Sequence, residues 1–388
     1  MISKKISKKM EAGSMIRKMF EEGNRLRELH GPENVFDFSL GNPDLEPPQA
    51  VLDTIAELAS QKPPKLHSYM SNNGHLSTRT AIADMLSAKS GLSVLPSHVC
   101  MTVGAAGAMN AVLKSLLDDG DEVIILAPFF MEYLSYIDNA GGIPVIIQTA
   151  DHSFLPDIDK IRQAITPKTK AIIINSPNNP SGAIYSREIL EELNTSLLES
   201  GQLIHVVSDE PYAELVYDGE ETPASMRYLK NIIVCYSWSK SLSLPGERIG
   251  YAAVSPRHED VNELSAAVTY CNRIQGSVNA PSFFQKVVEV NLNARADIPS
   301  YERRRNLLYD IVTKAGFSCE KPKGALYLFP KAPYDDVLFA ADCVKHNLLV
   351  VPGSAFSAPG YFRLAFCVPE SVIVRSEKVF KEVAEQSI

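Results

Sequence analysis

The stretch VCYSWSKSLSLPGERIGYAAV, residues 234–254, sets a lone lysine, Lys240, among small hydroxyl residues directly after an apolar run. Arg248 follows eight positions later and opens a second apolar run, RIGYAAV. An ammonium at the mouth of a buried strand is partly desolvated, which lowers its pKa from about 10.4. A lysine so placed is nucleophilic and forms Schiff bases with aldehydes. Ser237, Ser239 and Arg248 add donors suited to a phosphate, the arginine as a planar fork. Singly, such a lysine is more commonly surface charge. With these neighbours, the stretch points to an aldehyde that carries a phosphate.

Outward from this stretch the chain alternates. The runs HVCMTV, EVIIL, IPVIIQ, KAIIIN, LIHVVSD, NIIVCYS and RIGYAAV are short, apolar and rich in β-branched residues. Helical segments such as AAGAMNAVLKSLL and SREILEELNTSLLES lie between several of them. This pattern predicts an α/β fold with a mostly parallel seven-stranded sheet covered on both faces. Ligands in such sheets bind beyond the carboxyl ends of the strands. Residues 1–40 read as a helical arm followed by a Pro-rich crossing, and residues from about 279 onward mix helices with short strands. The expected division is a large domain over 42–278 and a smaller α/β domain made of 1–41 and 279–388.

The bulk numbers limit the alternatives. A chain of 388 residues is long enough for two cores, and 45% apolar with 22% charged residues is ordinary for a globular protein. A net charge of −8 argues against nucleic acid as a partner. No apolar run approaches the roughly 18 residues that span a bilayer, and the N-terminus lacks the apolar core of a signal peptide. The six cysteines are scattered without a C-x-x-C pair, and the eight histidines show no ligand spacing. These features predict free thiols, no metal and a cytoplasmic setting.

Several strand ends carry polar residues with two readings each. Gly104-Ala105-Ala106-Gly107 follows VCMTV and opens a helix, so its amides suit either an anion or tight helix-on-sheet packing. Asp209, with Tyr212 three positions on, is either a helix cap or an acid facing a protonated ring nitrogen. Asn179-Pro180-Ser181-Gly182 is either a turn or a source of a side-chain donor to a ligand oxygen.

With these residues in place, the chain resembles the class I/II aminotransferases, pyridoxal-phosphate enzymes of fold type I, and within them aspartate aminotransferase. The motifs occur in order: Tyr69 to Gly74 as Y-x-x-x-x-G, VGAAGA, APFFMEY, NSPNNPSG, SDEPY, SWSKSLSLPGERIGY and YFRLAF. The resemblance implies that Lys240 carries pyridoxal 5'-phosphate and moves the substrate Cα proton. It implies that Asp209 pairs with the pyridine nitrogen, that Tyr212 and Asn179 bond the phenolic oxygen, and that Phe130 stacks on the ring. Phosphate contacts come from the Ala105 and Ala106 amides, Ser237, Ser239, Arg248 and, from a neighbouring subunit, Tyr69, which implies a homodimer. Arg363 receives the substrate α-carboxylate beside the Gly41 backbone. The arm containing MIRKMF is expected to close over the site.

Substrate choice is the thinnest part. Arg273, in TYCNRIQGSVNAPS, lies about one residue from the position of the second, side-chain-reading arginine of aspartate aminotransferases, or is simply a helix-surface residue. The expectation is transfer from an acidic L-amino acid to a 2-oxo acid such as 2-oxoglutarate by a ping-pong route. A C–S β-lyase of the cystathionine type would use the same residues. An aminocyclopropane-carboxylate synthase-like role and a non-catalytic pyridoxal-phosphate-sensing protein are the more distant alternatives.

Overall fold

The seven apolar runs form one sheet in the computed structural model, which describes residues 2–7, 15–61, 63–149 and 152–386. Its strands are β1 (Val99–Val103), β2 (Glu122–Ala127), β3 (Ile143–Gln148), β4 (Thr169–Asn175), β5 (His205–Asp209), β6 (Ile232–Ser237) and β7 (Ile249–Val254). The spatial order is β1-β7-β6-β5-β4-β2-β3. Strands β2 to β6 are parallel, whereas β7 runs antiparallel to both of its neighbours. An antiparallel return needs no crossover helix. The connection from β6 to β7, which holds Lys240, therefore stays at the carboxyl end of the sheet.

Continuous apolar strands are stable here because side chains cover both faces of the sheet, the two layers together making the first core. Ile172, Ile174, Val206 and Val234 face one side. Ile173, Val207, Ile233 and Cys235 alternate onto the other. On that second side packs helix α2 (Gly104–Leu116), which follows α1 (Met15–His30) among the helices that bear on the site. Gly104 turns the chain from β1 into α2 at φ +68°, and a Cβ there would stand 3.0 Å from the Arg248 guanidinium. A side chain larger than hydrogen would push that arginine away.

A second core gathers Phe38, Leu328, Phe362, Leu364 and Phe380. It is built on a three-stranded sheet in which Phe362–Ala365 lies between Val351–Pro352 and Tyr327–Leu328. The short strand Phe36–Asp37 pairs in parallel with Leu348–Leu349, and the Ala365 amide donates to the Phe38 carbonyl at 2.8 Å. Residues 36–41 are thereby fixed beside Arg363. The segment after residue 278, expected with the small domain, contributes Ala280, Val287 and Val288 to the first core instead. The amphipathic helix Ser282–Val290 buries its apolar side there. No described helix is long and apolar enough to cross a membrane, and the six cysteines are free.

At the opposite end of β5 lies a buried histidine pair. His205 Nδ1 and His258 Nε2 are 2.9 Å apart with rings stacked at 10°. His258 Nδ1 accepts from the Asp260 amide, so His258 is the donor to His205 and both rings are neutral. Burial, aided by the Lys170 charge, pushes His205 down to about 3. The unfolded chain then takes the proton more readily, so stability present above pH 6.5 is lost as pH falls toward 3. Urea unfolding is expected to give a stability about 2 kcal/mol lower at pH 5 than at pH 7 from this group. His205→Gln should remove most of that slope; an unchanged slope would refute the assignment.

Candidate active site

A cavity of about 400 Å³ opens beyond the carboxyl ends of the central strands, between the two cores. The strands explain who lines it. Asp209 ends β5, Asn175 ends β4, and Ser237 ends β6, with Lys240 in the short helix Trp238–Ser241 just beyond. Arg248 turns in from φ +55° directly before β7, and Ala105 and Ala106 present the first turn of α2. From the second core come Gly41, Tyr327 and Arg363. The wall thus carries the cations Lys240, Arg248 and Arg363 against the single carboxylate of Asp209. Such a balance suits a ligand with more than one negative charge.

Lys240 Nζ donates to the Gly41 carbonyl at 2.6 Å. Desolvation lowers its pKa to about 8, with the nearby guanidinium charges acting in the same direction. Gly41 has no room for a side chain, since a Cβ would lie 1.9 Å from the Tyr327 hydroxyl. Asp209 is nearly fully buried. Its Oδ2 accepts from the Tyr133 hydroxyl at 2.5 Å, while Oδ1 is buried with no hydrogen-bond partner among the described residues. Burial raises this carboxyl to about 7, against the pull of Tyr133. A buried carboxylate oxygen left unpaired costs stability, so its placement points to a donor supplied by a ligand.

Ser237 and Ser239 hydroxyls are paired at 2.7 Å, and the Ser239 amide donates to Ser237 Oγ at 3.1 Å. Tyr212 meets Tyr327 hydroxyl to hydroxyl at 2.9 Å. Arg363 is buried, with Nη1 donating to Asn179 Oδ1 at 3.1 Å and Nη2 to the Ser39 carbonyl at 2.7 Å. Its guanidinium is 4.5 Å from the Tyr327 ring centre and 4.7 Å from that of Phe356. The Nε donor has no partner. Phe130 lines the cavity and meets Tyr133 edge-on at 5.8 Å.

Twelve of the fourteen expected site residues thus line one cavity. The other two do not. Tyr69 is 92% exposed and borders a separate hollow with Val278 and Asn279. Arg273 is exposed at the start of the irregular turn Arg273–Ser277. The cavity also uses residues the sequence reading left without a role: Tyr133, Asn175 and Tyr327. Tyr133 closes APFFMEY and Asn175 opens NSPNNPSG, so both stood inside quoted motifs. Tyr327 sits in GALYLFP, where nothing distinguishes a site tyrosine from a core one.

The family model for aminotransferase class I and II matches residues 33–375. An aspartate/prephenate aminotransferase of Thermus thermophilus is 32% identical over 88% of this chain and 89% of its own length. An aspartate aminotransferase of Geobacillus stearothermophilus is 34% identical over 86% and 87%. Among solved structures, an aminotransferase from Eubacterium rectale superposes with a TM-score of 0.96 at 39% identity, covering 100% of this chain and 99% of that one.

Proposed function

Because this chain belongs to the aminotransferase class I and II family, we propose that it transfers the amino group of an acidic L-amino acid, aspartate foremost, to a 2-oxo acid such as 2-oxoglutarate. Pyridoxal 5'-phosphate is the cofactor in this reading, and the reaction runs as two ping-pong half-reactions. The observation that carries it is the unpaired Asp209 Oδ1 in the same cavity as the low-pKa amine of Lys240. The residues present fit the group. Asp209 would face the ring N–H, and Lys240 would hold the group at its aldehyde carbon. Arg248, Ser237, Ser239 and the Ala105 and Ala106 amides would hold the phosphate. Phe130 would pack on the ring, and Tyr212 and Asn179 would hold its phenolic oxygen. Bound there, pyridoxal phosphate supplies an electron sink for the pair left when the substrate Cα loses its proton.

The chain does the rest. Arg363 grips the α-carboxylate as a fork beside Gly41, which fixes the substrate's orientation for proton removal. Lys240, neutral for much of the time near pH 8, takes the Cα proton and returns it. In a homodimer, Tyr69 reaches the neighbouring subunit's phosphate site and Arg273 reads the substrate side chain there. The exposure of both residues is compatible with that use. The two cores support a large and a small domain, with the chain passing to the small one between Ala294 and Ala296. Free, mostly buried thiols support a cytoplasmic setting.

The test is the visible spectrum of the cofactor-loaded protein while L-aspartate is added without a 2-oxo acid. The expected result is loss of the cofactor's visible band, one oxaloacetate per site and recovery with 2-oxoglutarate. Continuous pyruvate release from cystathionine would instead establish the lyase. Arg273→Ala is expected to weaken aspartate turnover roughly 10- to 100-fold, the size of a lost charge-assisted pair, and to spare phenylalanine. Equal losses on both substrates would dispose of the side-chain role.

A further inference from the structure

The carbonyl that holds Arg363 is itself held. Ser39 is fully buried, and its carbonyl accepts Arg363 Nη2 at 2.7 Å. Asp37 sets the Ser39 backbone: its Oδ1 accepts the Ser39 amide at 3.0 Å and the Ser39 hydroxyl at 2.6 Å. This is a carboxylate bonding its own backbone two residues on, a geometry that locks a turn. The other oxygen, Oδ2, takes Arg27 Nη2 at 2.5 Å, and Arg27 stands in the last turn of α1. A continuous line of donors and acceptors therefore runs from α1 through Asp37 and Ser39 to the guanidinium.

That line matters because Arg363 has few alternatives. It is enclosed by the Tyr327 and Phe356 rings, and its only other hydrogen-bond partner among the described residues is Asn179. If Ser39, released by Asp37, turns about its own dihedrals, its carbonyl leaves Nη2 and the fork is free to swing between the rings. The half of Arg363 aimed by Ser39 is thus aimed by Asp37 at one remove. The Ala365 amide holds the Phe38 carbonyl and the Phe38 amide donates to the Leu349 carbonyl, so the strand stays paired up to Phe38 and Asp37 restrains the chain just beyond it, at Ser39.

We propose that Asp37 is a positioning residue for capture of the substrate carboxylate, joining helix α1 to Arg363 through the Ser39 backbone. The proposal rests on the reading that Arg363 binds the α-carboxylate. The test uses the cofactor-loaded enzyme with L-aspartate, with 3-aminopropanoate (aspartate without its α-carboxylate) and with succinate binding by calorimetry. Asp37→Ala is expected to raise the aspartate KM and the succinate Kd about tenfold, with kcat changed less than about threefold and the 3-aminopropanoate rate retained. Asp37→Asn keeps an acceptor for Ser39 and should recover most of the loss. Parallel losses on aspartate and 3-aminopropanoate, or no change on either, overturn the proposal. Arg363→Lys separates the two claims. If it leaves succinate binding intact, the carboxylate reading itself fails; if it abolishes binding while Asp37→Ala does nothing, only the proposal falls. Should Asp37→Ala not fold, Arg27→Met breaks the outer link alone, and an unchanged aspartate KM in that variant overturns the coupling to α1.

Discussion

Lys240→Ala is expected to lower turnover on the order of 10⁴-fold, because in the proposed reading it removes both the covalent anchor and the base. No second amine lines the cavity to replace it among the described residues. Lys240→Arg should be as inactive: it restores the charge, but a guanidinium does not give up its proton in a protein. The pair therefore separates proton movement from electrostatics. Steady-state rates and the visible band of the loaded protein are the measurements. Either variant keeping a tenth of the activity would remove Lys240 from the chemistry. A pH profile adds a second check. Attack on an aldehyde needs the neutral amine, and desolvation lowers Lys240 from 10.5 to about 8. Cofactor uptake by the cofactor-free protein should thus rise with pH and level off above about 8. A rise that continues to pH 10 would mean an amine in ordinary solvent contact.

The parts of this site that could be read from the sequence are those tied to apolar runs. Asp209, Asn179, Ser237 and Lys240 each follow a continuous run, and such runs mark strand ends in a parallel sheet. The β6-to-β7 return keeps Lys240 at that edge, a consequence of chain direction that the runs alone do not reveal. Other contacts are set by pairings too short to leave a period. Phe36–Asp37 against Leu348–Leu349 is a two-residue match, yet it brings Ser39 and Gly41 to Arg363. The helix Ser282–Val290 has an apolar side that either core would accept, so its partner was not legible. Tyr133 illustrates a third limit. Its hydroxyl reaches Asp209 across the sheet edge, and only the folded geometry shows a tyrosine so placed.

Asp209→Asn should push stability and catalysis in opposite directions. In the cofactor-free protein the Asp209 carboxyl is raised from 3.8 to about 7, chiefly by burial, with Glu210 adding repulsion and Tyr133 opposing. A folded pKa above the unfolded one means that stability fully present below pH 3.8 is lost as pH rises through 7. At pH 8 the buried charge therefore costs roughly 4 kcal/mol. Asparagine keeps the shape without the charge, so cofactor-free Asp209→Asn should resist urea better than the parent at pH 8, with the advantage vanishing near pH 4. Catalysis should show the reverse. In the proposed reading Asp209 Oδ1 would face a protonated ring nitrogen, where the carboxylate's charge would hold the proton and a neutral amide would hold it far less firmly. Turnover is expected to fall roughly 10²- to 10³-fold, the loss typical when a preorganised electrostatic partner is removed. Urea midpoints across pH on the cofactor-free protein and rates on the loaded protein measure the two halves separately. A variant less stable than the parent at pH 8 would show that the charge is already satisfied within the chain. Near-normal turnover would show that Asp209 does not face the ring. Both gains and losses trace to one oxygen: the carboxylate that weakens the empty fold is the one a charged ligand completes.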